Sequence, residues 1–285
     1  MRPTSGAWSS AVEPAVLDLH GFDRQAGVWS QSFDLDQARN LVRRYPGRSV
    51  WLEHARECVI VGDWRRRPEV AAIAGIHAVR YRPELMAAAA DRAAALSLEG
   101  IVVIEWTETI SPAVYDAAGF DLLDSVVPFE IDRRNYPRTA DPSSPIQRLD
   151  TGDASIFDQL MSLDHASFGW LWINGPAEFA HYGRAPEELW GQVIDGRLRS
   201  YLGITIYGHW GHIDRLAVHP DWQGRGLGED LTRFGIARLS EHGCATVGLS
   251  TQTGNWRSQR LYSKLGFRRS DANTYRIYGR NFGNR

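Results

Sequence analysis

Two stretches of the chain repeat one pattern, and this repeat constrains the fold more than any other feature of the sequence. Residues 100–120 read GIVVIEWTETISPAVYDAAGF, and residues 243–267 read GCATVGLSTQTGNWRSQRLYSKLGF. Each stretch has a glycine, a β-rich run, a polar loop, a short helical segment with an internal tyrosine, and a final Gly-Phe pair. Self-similarity of this kind predicts two copies of one structural unit.

The segments upstream of these stretches also correspond, but their lengths differ. Val218 lies 25 residues before Gly243, whereas its counterpart Val79 lies 21 residues before Gly100. The difference falls at QGRGLG, residues 223–228. Both halves therefore look like one fold, and only the second half keeps the glycine-rich segment.

The division between the halves is marked by composition. Residues 133–145, RRNYPRTADPSSP, are rich in proline and serine and poor in aliphatic residues, which is typical of a linker. We predict a first domain over 1–132, a linker over 133–146 and a second domain over 147–285. In the second domain we expect helices at 153–168, near Pro176, from the glycines to about 242 and at 256–265, and strands at 190–194, 198–207, 211–219, 245–251 and up to about 281. This order predicts a mixed α/β fold.

Composition and charge exclude several classes of protein. The chain of 285 residues is 43% hydrophobic and 23% charged, with a formal net charge of −2, which is typical of a soluble globular protein. No basic cluster favours nucleic acid as a partner, and no apolar run approaches the roughly 20 residues that span a membrane. The N-terminal residues lack the apolar core of a secretory signal. Two cysteines, Cys58 and Cys244, cannot build a disulfide framework, so we expect reduced thiols and a cytoplasmic protein.

The glycine-rich segment lies between a predicted strand and a predicted helix. The first four N–H groups of a helix have no partner inside it and carry the positive end of the helix dipole. Glycines remove the Cβ atoms that would keep a bulky anion away from this backbone. QGRGLG is therefore a candidate cradle for a diphosphate, although a tight turn into a helix would also use glycines.

A family resemblance extends this interpretation. The string LAVHPDWQGRGLGEDL, with Gln223, Gly226 and Gly228, resembles the Q/R-x-x-G-x-G/A signature of the GNAT superfamily of N-acetyltransferases. A second motif, NWRSQRLYSKLGF, follows at the distance expected for that family. The resemblance covers about residues 147–281 and reaches the first half only as a degenerate copy. It implies two tandem GNAT-like domains, of which the second binds the cofactor.

The resemblance implies an acyl-coenzyme A cofactor, acetyl-CoA or another acyl-CoA, and no metal ion. The diphosphate would lie on the loop and the start of the next helix, and the pantetheine would pair with the preceding strand as an added strand does. The cofactor-binding residues implied in this way are Leu216, Ala217, Val218, Gln223, Gly224, Arg225, Gly226, Leu227, Gly228, Glu229 and Asn255.

Candidate catalytic residues lie on both sides of the loop. Tyr262 matches a position where members of that family use a tyrosine as the acid, but a core tyrosine is the alternative, and Tyr115 stands at the same place in the degenerate half. His212 stands where many members carry a glutamate base. Asp214 follows two residues later, on the same strand face unless a bulge intervenes. An ordinary polar strand face is the alternative for both.

The segment FGWLWINGP, residues 168–176, falls where this family builds its acceptor wall. Trp170, Trp172 and Trp190 are candidates for packing on an acceptor, and plain core packing is the alternative.

The resulting hypothesis is an N-acetyltransferase that moves an acetyl group from acetyl-CoA to a primary amine of a small molecule or peptide, by direct attack on the thioester. The alternatives are a non-catalytic acyl-CoA-binding sensor or partner module, or an acyltransferase with another acyl donor or an O-acceptor. Neither the acceptor nor the oligomeric state can be read from the sequence.

Overall fold

The computed structural model describes residues 13–106, 110–138, 141–180, 182, 186–270 and 274–283. The elements of the first half are β1 (Ala15–Val16), α1 (Leu19–Trp29), α2 (Leu35–Arg44), β2 (Val50–Leu52), β3 (Glu57–Trp64), β4 (Arg67–His77), α3 (Arg82–Ala95), β5 (Gly100–Glu105), α4 (Pro112–Ala117) and β6 (Asp121–Asp132). Those of the second half are β7 (Gln147–Arg148), α5 (Ala154–Ser167), α6 (Pro176–Phe179), β8 (Glu187–Ile194), β9 (Arg197–Tyr207), β10 (Trp210–Val218), α7 (Leu227–Glu241), β11 (Thr246–Gln252), α8 (Trp256–Lys264), β12 (Arg268–Arg269) and β13 (Tyr275–Asn281). The predicted mixed α/β class is confirmed.

Local sequence signals explain where the elements of the second half begin and turn. Asp153 caps α5, because its Oδ1 accepts hydrogen bonds from the amides of Ser155 and Ile156. Asp195 and Gly196 adopt positive φ angles of 52° and 71° in the turn between β8 and β9, which is the backbone conformation that an Asp-Gly pair favours in a tight hairpin.

Each compact unit of the structure contains a strand from the other half of the chain. The described residues of the two units fall within 1–64, 68–123 and 276–285 for the first, and within 65–67 and 124–275 for the second. In the first unit β13 pairs antiparallel with β5, and in the second β6 pairs antiparallel with β11. The units thus differ from the predicted boundaries 1–132 and 147–285, because composition marks a linker but does not reveal which distant strands pair.

The first unit has the strand order β1-β2-β3-β4-β5-β13. Its main core lies between α3 and the sheet. The helix contributes Leu85, Met86, Ala89, Ala90 and Ala93, and the strands contribute Val59, Val61, Ile101 and Val103. Small alanines let the helix approach the sheet closely, and together these side chains bury enough apolar surface to hold α3 in place.

The second unit has the strand order β6-β11-β10-β9-β8-β7. On one face α7 packs through Leu231, Ile236 and Leu239 on Leu202, Ile204, Ile213, Val247 and Leu249. On the other face α5 packs through Leu160 and Leu163 on Leu189, Tyr201 and Ala217. The end of this second face near the β9–β10 turn is less covered, since Tyr207 and Trp210 are exposed.

Strand β10 determines the shape of the site. It pairs antiparallel with β9 along its length, but its parallel pairing with β11 covers only residues 210–213. A register shift between Ile213 and Arg215 places Asp214 in a β-bulge. After this bulge, β10 keeps its described ladder with β9 and loses the one with β11, so the two parallel strands diverge at residues 215–218.

Candidate functional site

The glycine-rich segment forms the turn between β10 and α7. Gly224 and Gly226 have φ angles of +80° and +90°, in the left-handed region that other residues rarely adopt. A Cβ atom added to either glycine would meet no atom within 4 Å, so both border open space. Gly226 is the N-cap of the 15-residue α7, and no side chain caps that helix end. Bare backbone at the positive end of a long helix therefore faces a vacant volume.

A cavity of about 640 Å³ extends from the end of β10 across this turn to the start of α8. The predicted cofactor residues that line it are Leu216, Ala217, Val218, Gln223, Gly224, Gly226, Leu227, Gly228, Glu229 and Asn255. Arg225 points elsewhere, with its guanidinium carbon 4.5 Å from the ring centre of Trp222, which does line the cavity. The geometry therefore brings ten of the eleven predicted residues to one cavity.

Several cavity residues were not anticipated from the sequence. Ser167 and Phe168, at the end of α5, line the cavity, as do Trp256 and Leu261 on α8. Trp256 directly follows Asn255 in the second motif, so its position next to a predicted residue was an available signal. Phe168 offers no such local signal, because it reaches the cavity only through the packing of α5 on β10.

The ionic environment of the turn is suited to an anion. Glu229 lies in the first turn of α7, where an unbalanced carboxylate would repel a diphosphate. Its oxygens lie 2.5 Å from Lys264 Nζ and 2.9 Å from Arg233 Nη2. Hydrogen bonds from Lys264 and then Arg233 lower the pKa of Glu229, so its negative charge is both retained and balanced by two cations.

Two polar side chains hold the ends of the loop. The Nε2 atom of Gln223 donates to the Val218 carbonyl at 3.2 Å, and Arg257 donates to Gln223 Oε1. Asn255 caps α8 by accepting a hydrogen bond from the Ser258 amide at 3.2 Å. The two contacts of Gln223 thus connect the end of β10, the glycine turn and the start of α8, all of which line the cavity.

These features fit an acyl-CoA. A diphosphate requires exposed backbone amides at a helix N-terminus, and Gly224 and Gly226 leave that space free of Cβ atoms. A pantetheine arm requires an unpaired strand edge, and β10 leaves its pairing with β11 after Ile213. The cavity volume also lies in the usual range for cofactor sites.

His212 and Asp214 lie together on β10, on the face away from α7. The Nδ1 atom of His212 is 2.7 Å from Asp214 Oδ1, and the Thr205 hydroxyl donates to Asp214 Oδ2 at 2.5 Å. Both side chains retain partial exposure of 25% and 21%. The bulge does not separate them, and the carboxylate of Asp214 contacts the imidazole of His212 directly.

Tyr262 is buried within α8, at 6% exposure. Its ring packs on Phe129 and Phe267, with ring centres 6.2 and 5.9 Å away. Burial raises the pKa of Tyr262 to about 12, against a smaller opposing effect of a hydrogen bond with Ser258. Ser258 lines the cavity, so the hydroxyl end of Tyr262 is separated from the cavity by one helical turn.

The counterpart tyrosine of the first unit has its own structural role. The Tyr115 hydroxyl donates to the buried Glu105 at 2.5 Å, and its ring stacks on Tyr278 with centres 3.9 Å apart. Tyr115 therefore has a reason to be present that is independent of any cofactor, and its presence does not make Tyr262 merely structural.

In the first unit, which lacks the glycine-rich segment, a carboxylate occupies the corresponding helix N-terminus. At the start of α3, the carboxylate of the buried Glu57 accepts hydrogen bonds from the amides of Arg80 at 3.0 Å and Tyr81 at 2.9 Å. The protein's own carboxylate thus takes the place where a diphosphate would meet the helix.

A buried ionic network, which the sequence analysis did not identify, holds the predicted acceptor wall. Asp164 on α5 is fully buried and lies 2.5 Å from Arg215 Nη2, and Tyr201 also donates to it. Arg215 further donates to the Trp172 carbonyl at 2.6 Å and lies over the ring of Phe168. Arg215 follows the bulge directly, so the bulge determines which face of β10 presents it.

The three candidate tryptophans have different surroundings. Trp172 Nε1 donates to Asp124 at 2.7 Å, and the Trp170 carbonyl accepts from Arg67 Nη1 at 2.5 Å. Trp190 instead packs against Phe234 of α7, with ring centres 4.8 Å apart. For Trp190 the core-packing alternative is the one that the structure supports.

None of the helices in the described parts of the chain combines the length and apolar character that a membrane span requires.

Comparison with known proteins relates part of the chain to one family. Residues 157–267, which include the glycine turn and α8, match the acetyltransferase (GNAT) family. A segment of the chain is 38% identical over 121 residues to a mycothiol acetyltransferase from Saccharopolyspora erythraea, covering 39% of this chain and 40% of that relative. The chain spans less than half the length of the curated relatives it matches.

Solved structures show that the likeness extends to both halves. A tandem GNAT protein from the clavulanic acid biosynthesis pathway, 14% identical, covers 96% of this chain and 99% of its own, with a TM-score of 0.54. A GCN5-related N-acetyltransferase from Anabaena variabilis, 12% identical, covers 95% of this chain and 73% of its own, with a TM-score of 0.64. At these identities the likeness concerns the fold alone, and it confirms the predicted tandem of GNAT-like domains.

Proposed function

We propose that the protein is an acyl-CoA-dependent N-acetyltransferase that moves an acetyl group from acetyl-CoA to a primary amine of a small molecule or peptide. The observation that carries the proposal is the open glycine turn at α7, next to the strand edge that β10 frees after its bulge. The His212–Asp214 pair lies on the same strand, just before that edge.

Acetyl-CoA would supply the acyl group as a reactive thioester. The backbone of Gly224 to Glu229 and the positive end of α7 would hold the diphosphate. The backbone of Leu216 and Val218 would pair with the pantetheine and position the thioester. Positioning of this kind contributes several orders of magnitude to acyl transfer.

His212 acts as the base. With its Nδ1 proton directed at Asp214, the imidazole keeps the lone pair on Nε2, which accepts the proton that the amine must lose before attack. Asp214 is a positioning residue, because it determines the tautomer and stabilises the imidazolium.

Tyr262 acts as the acid. Its raised pKa of about 12 keeps the phenol protonated throughout the neutral range. The phenol would donate a proton to the leaving thiolate, and of the two protons that the ammonium group loses through His212 and solvent, one would restore the phenol and the other would pass to solvent.

The small-molecule acceptor is supported by the relatives named mycothiol acetyltransferase, and the peptide acceptor by one named for alanine N-acetylation of ribosomal protein bS18. A non-catalytic acyl-CoA sensor is the second candidate. It is favoured by the fact that His212, Asp214 and Tyr262 do not line the 640 Å³ cavity.

An assay of thiol release from acetyl-CoA with a panel of primary amines separates the two functions. A transferase releases thiol in step with an acetylated amine detected by mass spectrometry. A sensor binds acetyl-CoA in isothermal titration and releases no thiol with any amine. Absence of acetyl-CoA binding would contradict both.

A further inference from the structure

Exposed aromatic side chains continue from His212 to the turn between β9 and β10. Tyr207, Trp210 and His212 form what we call the aromatic stripe. The ring centres of Tyr207 and Trp210 are 5.4 Å apart, and those of Trp210 and His212 are 5.3 Å apart with nearly parallel planes. The stripe ends at the proposed base, His212, which contacts Asp214.

The stripe has no role in the core. Tyr207 is 58% and Trp210 36% exposed, although large aromatic rings are usually buried. The ring of Trp210, a residue of β10, packs over Gly248 of the neighbouring strand β11. A Cβ atom added to Gly248 would lie 2.6 Å from this ring. Gly248 therefore provides the room in which the indole packs against the sheet.

Carboxylates border the stripe. Asp214 lies at the inner end of the stripe, where it accepts a hydrogen bond from Thr205. Glu187 lies opposite Thr205 on the neighbouring strand β8. Burial and then the charge of Asp214 raise the pKa of Tyr207, a hydrogen bond with Thr205 opposes the rise, and the charge of Glu187 adds a smaller increase. Two carboxylates next to aromatic π faces form a surface that attracts an organic cation.

We propose that the aromatic stripe is the acceptor subsite, and that it takes a cationic primary amine attached to a flat aromatic body. This inference rests on the proposed function, because the amine would be acetylated at the His212 end. The ammonium group is attracted by Asp214 and Glu187, and the ring stacks on Trp210. Loss of the ammonium proton to His212 then leaves the amine nucleophilic and in place.

Binding of 2-phenylethylamine in the presence of saturating coenzyme A tests the subsite. We expect it to bind about tenfold more tightly than butylamine, which has the same charge and no ring, and than 2-phenylethanol, which has the ring and no charge. Equal binding of all three would overturn the proposal.

Substitutions in the aromatic stripe test whether 2-phenylethylamine binds there. Trp210→Ala is expected to weaken 2-phenylethylamine binding about tenfold, whereas Trp210→Phe keeps a ring and most of the affinity. Tyr207→Ala removes another ring of the aromatic stripe and provides the test if Trp210→Ala does not fold. Trp106→Ala removes an exposed tryptophan of the first unit and should change nothing. Unchanged amine affinity in both stripe variants would overturn the proposal.

A titration with coenzyme A distinguishes failure of the acceptor subsite from failure of the proposed function. Normal coenzyme A affinity with amine binding that depends on Trp210 supports the stripe, even if no thiol is released. Thiol release with amine binding that is insensitive to the stripe supports the transferase and overturns the acceptor subsite.

Discussion

The Nδ1 atom of His212 lies 2.7 Å from Asp214 Oδ1, although a β-bulge begins at the second residue. In a regular strand, residues two apart share a face. Here the two side chains are also in contact, because the bulge leaves Asp214 on the face of His212 and changes the orientation of the residues from Arg215 onward. The proposed mechanism relies on this pair, in which the Thr205 hydroxyl also donates to Asp214.

The first prediction concerns this pair. His212→Gln should lower kcat by about 100-fold and Asp214→Asn by at least about tenfold, since general base catalysis and its orienting carboxylate carry effects of this size. Steady-state thiol release at saturating acetyl-CoA measures both. His242 forms another histidine–carboxylate pair, with Glu188 at 3.1 Å, and His242→Gln should leave kcat unchanged. Equal kcat in His212→Gln and wild type would remove His212 from the mechanism.

The second prediction concerns Tyr262. Tyr262→Phe should lower kcat and leave the Kd for coenzyme A unchanged, because only the hydroxyl is lost. The pKa of about 12 is above the ordinary value near 10, so the phenol holds its proton at every pH below that value. We therefore expect no alkaline fall in rate from Tyr262 up to about pH 11. A wild-type rate in Tyr262→Phe would make this residue structural.

The third prediction concerns the glycine turn. Gly226→Ala should weaken coenzyme A binding by at least about tenfold, because φ is +90° and the N-cap borders the diphosphate position. Gly243 is a matched control at the other end of α7, with φ of +85° and equally open surroundings. Gly243→Ala should cost similar stability and leave the coenzyme A Kd unchanged. The same Kd in both variants would contradict the cradle.

The fourth prediction concerns stoichiometry. Isothermal titration should find one acetyl-CoA per chain, because Glu57 takes the two amides at the start of α3 in the first unit. Glu57→Ala should still bind one acetyl-CoA, and should lose about 1–3 kcal/mol of unfolding free energy as those amides lose their partner. A second site in the wild-type protein would be incompatible with this account.

The fifth prediction concerns the buried ion pair. Arg215→Ala should lower the free energy of unfolding by about 3–5 kcal/mol, because it leaves the Asp164 carboxylate buried without its partner. Urea denaturation measures the loss. Arg39 makes an exposed pair with Asp23, and Arg39→Ala should leave the midpoint nearly unchanged. A midpoint for Arg215→Ala close to that of Arg39→Ala would show that the network contributes little.

Much of the site could be predicted from local sequence. The left-handed glycines, the N-cap at Asn255 and the turn at Asp195-Gly196 depend on interactions within a few residues, so they leave a pattern in the chain. Arg215 with Asp164, and Trp210 with Gly248, join residues far apart in sequence and leave no such pattern.

By itself, the sequence determined the class of fold, the duplication, and the half that keeps a glycine-rich turn at a helix N-terminus. Steric limits on backbone angles and the period of apolar residues act locally, and they suffice for these conclusions. Only the tertiary structure decided that β6 and β13 pair within the opposite units, that Glu57 occupies the helix end in the first unit, and that an aromatic surface leads to Asp214. These features depend on which distant strands and side chains meet, and that choice is made by packing of the whole chain.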